Sequence, residues 1–458
     1  MGSLDRDIPL MSISKKGLLA GVATATVALV ATFVAPAAYA GTSSAACANV
    51  GSGYAVQKGK TVEVFTSVVG DELTRYAAAS ADFTACTGIK INWNGSDQFE
   101  AQLPVRVAGG TAPDLALVPQ PGLIAQMVAT GKAVPAPNAV KNNINRYWSK
   151  SWRGLGSVNG TFYAAPNSAN LKSLVWYSPK QFAKNGYTVP TTWTAMMAQS
   201  DKMAAAGQTA WCGGIGSGGA TGWPATDWLE EVVVREAGST VYNNWINHTV
   251  KFSDAPIIHA MNTVWNWMGN SKYVGKVSTI ATTSFQDAVT GIPSGACMQL
   301  QQASFIAASL PKNSVVSPTG DAWVYYLPGI NPAVPTPVEG GGEFYLAFNS
   351  NKATVEVQTY LSTPQWAISR VKAAGSNGGW LSANSGVPAS TYSNPLDALS
   401  AKYLSDPSST FVFDASDAMP AAIGNGAEWT GFTDWFANGT PVKTVAAKID
   451  AAWPSASN

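Results

Sequence analysis

The chain has 458 residues, of which 46% are hydrophobic and 12% are charged, and its formal net charge is +1. A chain of this length is too long to fold around one ordinary hydrophobic core, and it fits two lobes plus a targeting segment. The composition is too apolar and too sparsely charged for a disordered chain. The near-zero net charge provides no global field that would attract nucleic acid or an acidic membrane surface.

The N-terminal region carries a targeting pattern. Lys15 and Lys16 form a short positive region, residues 17–34 are almost wholly apolar, and Ala38-Tyr39-Ala40 supplies the small residues that a signal peptidase reads. We therefore predict a secretory signal peptide over residues 1–40 and an exported chain. An uncleaved membrane anchor is the rival interpretation, because the apolar run is long enough to span a bilayer, but the small residues at its end favour cleavage.

Residues 41–59 are small and polar and predict a flexible leader. Strand and helix patterns then alternate, with strands over 61–65, 90–93 and 113–118 and helices over 71–85, 97–108 and 122–129. This alternation predicts an α/β fold with right-handed crossovers. Ligands in such sheets bind at the carboxyl ends of the strands, which here are Thr66-Ser67, residues 94–97 and Pro119-Gln120.

The rest of the chain returns to both patterns. Residues 190–325 are rich in helical spacing and in Trp, and one helix starts at residues 190–193 with a Thr cap. Strands recur over 323–326 and 344–348, and helical patterns follow residue 350.

The sequence contains four cysteines: Cys47, Cys86, Cys212 and Cys297. Disulfides are expected in an exported chain, and four cysteines allow three pairings among which the sequence does not choose. We favour Cys212–Cys297, together with Cys47–Cys86 if Cys47 is not lipidated. Lipidation of Cys47 is the weaker alternative, because Ser44 stands where a bulky apolar residue is usual. Metal ligation is disfavoured by the absence of a CxxC pair and by the presence of only 2 histidines.

The Gly-rich loop over residues 213–222 lacks the Gly-Lys-Ser/Thr ending of a P-loop and the spacing of a nucleophile elbow. Its backbone can approach a ligand closely, and Thr221 and Trp223 add a hydroxyl group and a stacking face. A ligand contact and a mobile surface loop are both open interpretations.

Few residues could support catalysis. The scarcity of histidine removes most catalytic triads, and a glycosidase needs two carboxyl groups that flank one bond. Carboxylates also accept paired hydrogen bonds from sugar hydroxyls, so they do not separate an enzyme from a binding protein. The scattered candidates are Asp97, Asp227, Glu343, Asp414 and Glu428.

The chain resembles the extracellular solute-binding proteins of carbohydrate ABC importers, most closely the bacterial α-glucoside-binding proteins, which are similar to maltose-binding protein. The resemblance covers residues 60–435 in order. The segments that carry it are 95–103, 109–114, 118–123, 172–177, 190–193, 211–212, 216–228, 302–305, 417–420 and 426–429.

The resemblance implies an α/β, two-lobed periplasmic-binding-protein fold of type II, whose lobes are joined by crossing strands and close over a ligand cleft by a hinge. It implies no catalysis and no cofactor. The first lobe would comprise residues 60–170 and 330–375, the second lobe residues 171–325, and residues 376–458 would complete both lobes and the cleft.

The ligand implied is an oligosaccharide, an α-glucoside such as maltose, trehalose or sucrose, which a monomeric receptor delivers to the membrane permease subunits of the importer. The receptor would lie in the periplasm, outside the cell or at its surface. Carboxylates would accept from sugar hydroxyls, amides and Lys172 would donate, and two Trp rings would stack on sugars. The ligand-binding residues carried over are Ser67, Asp97, Gln120, Asn170, Lys172, Thr221, Trp223, Gln302, Gly342, Glu343, Glu428 and Trp429.

Two alternatives from other classes remain. One is a secreted glycoside-acting enzyme, which would cleave maltose, sucrose or trehalose. The other is a carbohydrate sensor or adhesin, which would bind sugar without supporting uptake.

Overall fold

The computed structural model describes residues 44–335, 337–406 and 408–454. The signal peptide predicted over residues 1–40 lies outside the described residues. Among those that are described, no helix is both long and apolar enough to cross a membrane.

The β-strands are short. In chain order they are β1 (Thr61–Thr66), β2 (Lys90–Gly95), β3 (Leu115–Val118), β4 (Ser157–Val158), β5 (Thr161–Phe162), β6 (Ala164–Pro166), β7 (Asn170–Leu171), β8 (Leu174–Tyr177), β9 (Gln299–Gln301), β10 (Trp323–Tyr326), β11 (Pro337–Gly341), β12 (Phe344–Ala347) and β13 (Thr410–Phe413).

The α-helices surround these strands. In chain order they are α1 (Ser44–Val50), α2 (Gly70–Ala79), α3 (Ala81–Thr87), α4 (Phe99–Ala108), α5 (Pro121–Ala129), α6 (Asn138–Tyr147), α7 (Lys150–Leu155), α8 (Pro179–Asn185), α9 (Trp193–Ala205), α10 (Trp223–Glu236), α11 (Gly238–Ile246), α12 (Ala255–Met268), α13 (Ser271–Val274), α14 (Phe285–Ser294), α15 (Lys352–Leu361), α16 (Pro364–Ala374), α17 (Pro395–Ser405), α18 (Ala415–Ala418), α19 (Trp429–Asn438) and α20 (Val442–Ala451).

The first lobe is built on a five-stranded sheet in the order β2-β1-β3-β12-β6. The strands β1, β2 and β3 are parallel, as the alternating pattern predicts, whereas β12 runs antiparallel to β3 and β6. Both faces of β1 are buried, because Val64 packs into one core and Phe65 into another. A strand covered by helices on both sides reads as an apolar run, which is why these strands are visible in the sequence.

The second lobe is built on the antiparallel sheet β10-β8-β9 and the helices that pack on it. Its core contains Trp211, Trp228, Trp245 and Trp267, each almost fully buried. The predicted helix start is confirmed, since the Thr192 hydroxyl accepts from the backbone N–H of Ala195 at 3.1 Å. This contact satisfies one of the free N–H groups in the first turn of α9.

A small third sheet, in the order β13-β11-β7, joins the lobes. The chain passes from β6 through β7 into β8, and returns from β10 through β11 into β12. The crossing strands β7 and β11 pair antiparallel, with Gly341 opposite Asn170. This arrangement confirms the two-lobed α/β fold, while the lobe boundaries given above stay a prediction.

The predicted disulfides are both present, Cys47–Cys86 and Cys212–Cys297. The first ties α1 to α3, and Ala46 and Val50 of α1 are buried in a core cluster of the first lobe. The prediction of a flexible leader is therefore wrong for residues 44–50, since a covalent link and apolar burial order this segment as a helix.

One helix boundary also differs from the prediction. The helix expected over residues 71–85 is divided into α2 and α3 at Ser80. The Ser80 hydroxyl donates to the carbonyl of Ala77 at 2.9 Å and accepts from Trp93 Nε1 at 3.1 Å. A serine hydroxyl that binds local backbone in this way competes with a continuous helix.

Candidate functional site

A cavity of about 590 Å³ lies between the two lobes. Small-molecule sites typically have volumes of roughly 300–1,000 Å³. The first lobe contributes the loops that follow β1, β2 and β3, the carboxyl ends at which the sequence places a ligand. The Gly-rich loop and the start of α10 form the facing wall, and the segments after β7, β11 and β13 form the floor.

The cavity brings together most of the residues that the resemblance implies. Those that line it are Ser67, Asp97, Gln120, Asn170, Lys172, Thr221, Trp223, Gly342, Glu343 and Trp429. Whether each one contacts a ligand stays a prediction.

Two of the predicted residues do not line the cavity. Gln302 is buried, and its side-chain oxygen accepts from the backbone N–H of Ala303 at 2.7 Å. Glu428 is fully buried at the end of a π-helical segment, and no described group donates to either of its carboxyl oxygens. Desolvation raises the pKa of Glu428 well above its ordinary value. Both assignments are corrected here, because motif position does not reveal which way a side chain points.

Lys172 lies on the floor of the cavity between two carboxylates. Its ammonium donates to Asp227 Oδ1 at 2.6 Å and also to Asp414 Oδ2. Burial by itself would lower the pKa of Lys172, but the two carboxylates outweigh it and hold that pKa well above its ordinary value. A lysine has three N–H donors, so one remains for a ligand hydroxyl.

Further carboxyl groups surround this ion pair. Desolvation raises the pKa of Asp227 to about 7, against the pull of Lys172, and raises that of Glu230 to about 8. The carboxyl groups of Asp227, Glu230 and Asp414 lie close enough together, within 4.8 Å, to hold a metal ion. The Lys172 ammonium already supplies positive charge to two of the three. Glu230 is also occupied, since it accepts from the backbone N–H of Ala415 at 2.6 Å.

Glu343 is a second charged residue on the cavity wall, and one of its carboxyl oxygens is held by neutral donors. Its Oε2 accepts from the Tyr76 hydroxyl at 2.7 Å, from Ser168 Oγ at 2.9 Å and from Asn167 Nδ2 at 3.3 Å. No described group donates to Oε1, which leaves that oxygen available to the cavity. Desolvation, with the charge of Glu72, raises the pKa of Glu343 to about 7.

Aromatic rings cover the second-lobe wall. Trp223 packs edge-on against Phe285, with ring centroids 5.0 Å apart, and also contacts Phe305 at 6.0 Å. The Lys172 ammonium lies 5.7 Å from the centroid of Trp223. Packing fixes this ring at the cavity wall, where an indole face can stack on an apolar ligand surface.

Several lining residues are absent from the ligand-binding set that the resemblance implies: Glu72, Glu100, Phe285, Phe305, Trp380, Asp414 and Asp417. Of these, Asp414 is among the scattered carboxylate candidates of the sequence. Trp380 follows Gly378-Gly379, the same glycine-then-tryptophan pattern that marks Trp223, so a local signal for it existed. Phe305 and Asp417 lie inside segments that carry the resemblance. Glu72 and Phe285 lie on helices with no motif.

A two-lobed α/β fold with crossing strands and an interlobe cavity of carboxyl, amide and aromatic groups defines a solute-binding receptor. The family described as bacterial extracellular solute-binding protein matches residues 67–370. The chain belongs to this family, which confirms the resemblance noted in the sequence.

The relatives named after their ligands span nearly the whole chain. The osmoprotective compounds-binding protein GgtB of Synechocystis is 35% identical over 402 residues, covering 86% of this chain and 93% of the relative. The alpha-glucosides-binding periplasmic protein AglE of Rhizobium meliloti is 34% identical over 410 residues, covering 87% and 88%.

The solved structures agree on the fold. The bacterial solute receptor AcbH, described as preferring β-D-galactopyranose, superposes with a TM-score of 0.75 at 18% identity, covering 86% of this chain and 98% of that one. At this identity the likeness shows the fold alone.

Proposed function

We propose that this chain is the substrate-binding component of an ABC sugar importer, which binds an oligosaccharide such as an α-glucoside and delivers it to the permease subunits. The observation that carries the proposal is the cavity itself, where the Trp223 ring lies beside the free donor of Lys172 and the free Glu343 Oε1. A sugar presents an apolar ring face and a rim of hydroxyls, so it needs this combination.

The name of one relative supports a glycoside ligand. AglE is named for α-glucosides and GgtB for osmoprotective compounds, and this chain matches both over most of its length. We therefore favour a small α-glucoside such as trehalose, sucrose or maltose. The predicted roles follow: Asp97 and Glu343 accept from hydroxyls, Gln120, Asn170 and Lys172 donate, and Trp223 and Trp429 stack.

We also propose that the receptor is exported, monomeric and not lipidated at Cys47. The Cys47–Cys86 disulfide supports this proposal, because one sulfur atom cannot carry both a disulfide and a lipid. The proposed receptor performs no catalysis. Asp414, which lines the cleft, and Asp227 are both held in ion pairs with Lys172 and are poorly placed to exchange protons with a substrate.

A thermal-shift panel tests the proposed function. Purified protein is titrated with maltose, maltotriose, trehalose, sucrose and raffinose, and each mixture is then analysed for cleavage products. A bound sugar should raise the free energy of unfolding by about 2.7 kcal/mol at a hundredfold excess over its Kd. Trp223→Ala should abolish the shift, whereas Trp193→Ala should keep it, because Trp193 does not line the cavity. Hydrolysis of any of these sugars at catalytic rates would contradict the proposal that the protein is a receptor.

A further inference from the structure

The Gly-rich loop of the second lobe makes a direct backbone contact with the first lobe. The N–H of Gly219 donates to the carbonyl oxygen of Asp97 at 2.9 Å. Gly218 and Asp97 both line the cavity, so this hydrogen bond lies at its edge. This contact involves only the backbone carbonyl of Asp97, so the Asp97 carboxylate takes no part in it.

Only glycine allows the two backbones to come this close. A Cβ atom on Gly218 would lie 2.5 Å from the carbonyl oxygen of Asp97, and one on Gly219 would lie 2.7 Å from Gln98 Oε1. Gly218 also has a φ of +55°, a conformation that side chains of L-residues disfavour. The first clash is with backbone and cannot be relieved by a rotamer change, whereas the second is with the end of a flexible side chain.

The loop is shaped from within the second lobe. Thr221 Oγ1 donates to the carbonyl of Gly218 at 2.8 Å and accepts from the N–H of Ser217 at 3.1 Å. The N–H of Gly222 donates to the carbonyl of Ile215 at 3.0 Å. These bonds lie within the second lobe and fix the loop that presents the Gly219 N–H to the first lobe. The Thr221 hydroxyl, which is predicted as a ligand contact, makes both of its hydrogen bonds within this loop.

We propose that Gly218 and Gly219 form a latch with Asp97 and Gln98, which holds the lobes closed over the ligand and slows its release. Both glycines are thus positioning residues for ligand retention. The identity of the retained ligand rests on the proposed function, whereas the contact between the lobes does not. Because the apparent affinity scales with the population of the closed state, losing the latch should speed ligand release roughly tenfold.

The kinetic test compares matched glycine variants by stopped-flow tryptophan fluorescence, with trehalose, sucrose and maltose as probes. Gly218→Ala is paired with Gly186→Ala, because Gly186 has a φ of +70° and nothing within 4 Å of its Cβ position. Gly219→Ala is paired with Gly154→Ala, which also has open space. Release should accelerate roughly tenfold in Gly218→Ala and by a smaller factor in Gly219→Ala, whose clash is with the end of a flexible side chain, and it should stay unchanged in both controls. Equal release rates within both pairs overturn the latch.

A rescue experiment separates a latch from a general loss of structure. The Gly219→Ala clash is with the Gln98 side chain, so adding Gln98→Ala should return ligand release to near the wild-type rate. A defect in folding would not respond to this change on the opposite lobe. A double variant that releases ligand as fast as Gly219→Ala overturns the proposed contact.

A cross-link tests the contact without any ligand. The Cβ position of Gly219 lies 3.5 Å from the Cα atom of Gln98, within the reach of a disulfide. Gln98→Cys with Gly219→Cys should therefore oxidise to an intramolecular bridge, identified by peptide mass mapping, and the single variants should not. Absence of the bridge overturns the latch. A bridge whose formation no sugar accelerates retains the latch and counts against the proposed sugar ligand.

Discussion

Lys172 and Glu343 occupy corresponding places on the two crossing segments, but the protein balances their charges differently. Lys172 follows β7, and its ammonium is held by the carboxylates of Asp227 and Asp414. Glu343 follows β11, and its Oε2 is held by a phenol, a hydroxyl and an amide, none of which carries a charge. Ion pairing therefore stabilises the charge of Lys172. Glu343 has only neutral donors around its Oε2, and its raised pKa favours the protonated acid.

The largest expected effect comes from Lys172→Met. The substitution keeps most of the side-chain volume but leaves Asp227 and Asp414 buried without their cation. Removing one partner of a buried ion pair costs about 3–5 kcal/mol of the free energy of unfolding. Urea denaturation should show a loss of this size.

The matched control for this variant is Lys180→Met. Lys180 also pairs with an aspartate, Asp321, at 2.7 Å, but 61% of its side chain is exposed. Exposed ion pairs contribute about 0–1 kcal/mol. If both variants lost the same stability, the ion pairing at Lys172 would have no special role.

The sequence identifies Lys172 and Glu343 as residues of the site, but it does not reveal which groups compensate the charge of each. Lys172 and Asp227 are 55 residues apart, and Lys172 and Asp414 are 242 residues apart. Pairing over such distances leaves no periodic pattern. In contrast, β1, β2 and β3 are found from sequence because burial of each strand imposes a local apolar run.

The errors at the site have the same physical origin. Gln302 and Phe305 belong to the same segment, 302–305. The sequence correctly places this segment at the cavity, but Phe305 lines the cavity and Gln302 does not. Glu428 lies beside Trp429, which lines it, and the π-helical turn directs the two side chains differently. A motif locates a segment, whereas the local backbone decides which of its side chains reaches the ligand.

Glu343→Gln should have a smaller effect on stability than Lys172→Met. The amide keeps one oxygen acceptor for the Tyr76 and Ser168 hydroxyls, so the loss should be about 1–2 kcal/mol, the range for a weakened buried hydrogen bond. Sugar affinity should fall roughly tenfold, since the position of Oε1 is then taken by the amide NH2 group, which donates and cannot accept a hydrogen bond from a sugar hydroxyl. Isothermal titration and urea denaturation of the same variant would measure the two effects separately. Unchanged affinity would remove Glu343 from the ligand site.

The last prediction concerns the pH dependence of stability. The pKa of Glu343 is raised from 4.5 to about 7 in the folded protein. Between these values the folded state binds more protons than the unfolded state, so the free energy of unfolding falls as pH rises. The contribution of Glu343 is complete below pH 4.5 and is lost as pH rises through about 7.

Glu343→Gln removes this titrating group and should flatten the decline of stability between pH 4.5 and pH 7. Asp227 and Asp397, whose pKa values are raised by burial to about 7, still titrate in the variant, so a residual decline should persist. Urea denaturation midpoints at half-unit pH intervals would measure both slopes. A variant whose slope matches that of the wild-type protein would show that the neutral donors around Glu343 stabilise its carboxylate as well as its acid, and the contrast with Lys172 would then rest on geometry alone.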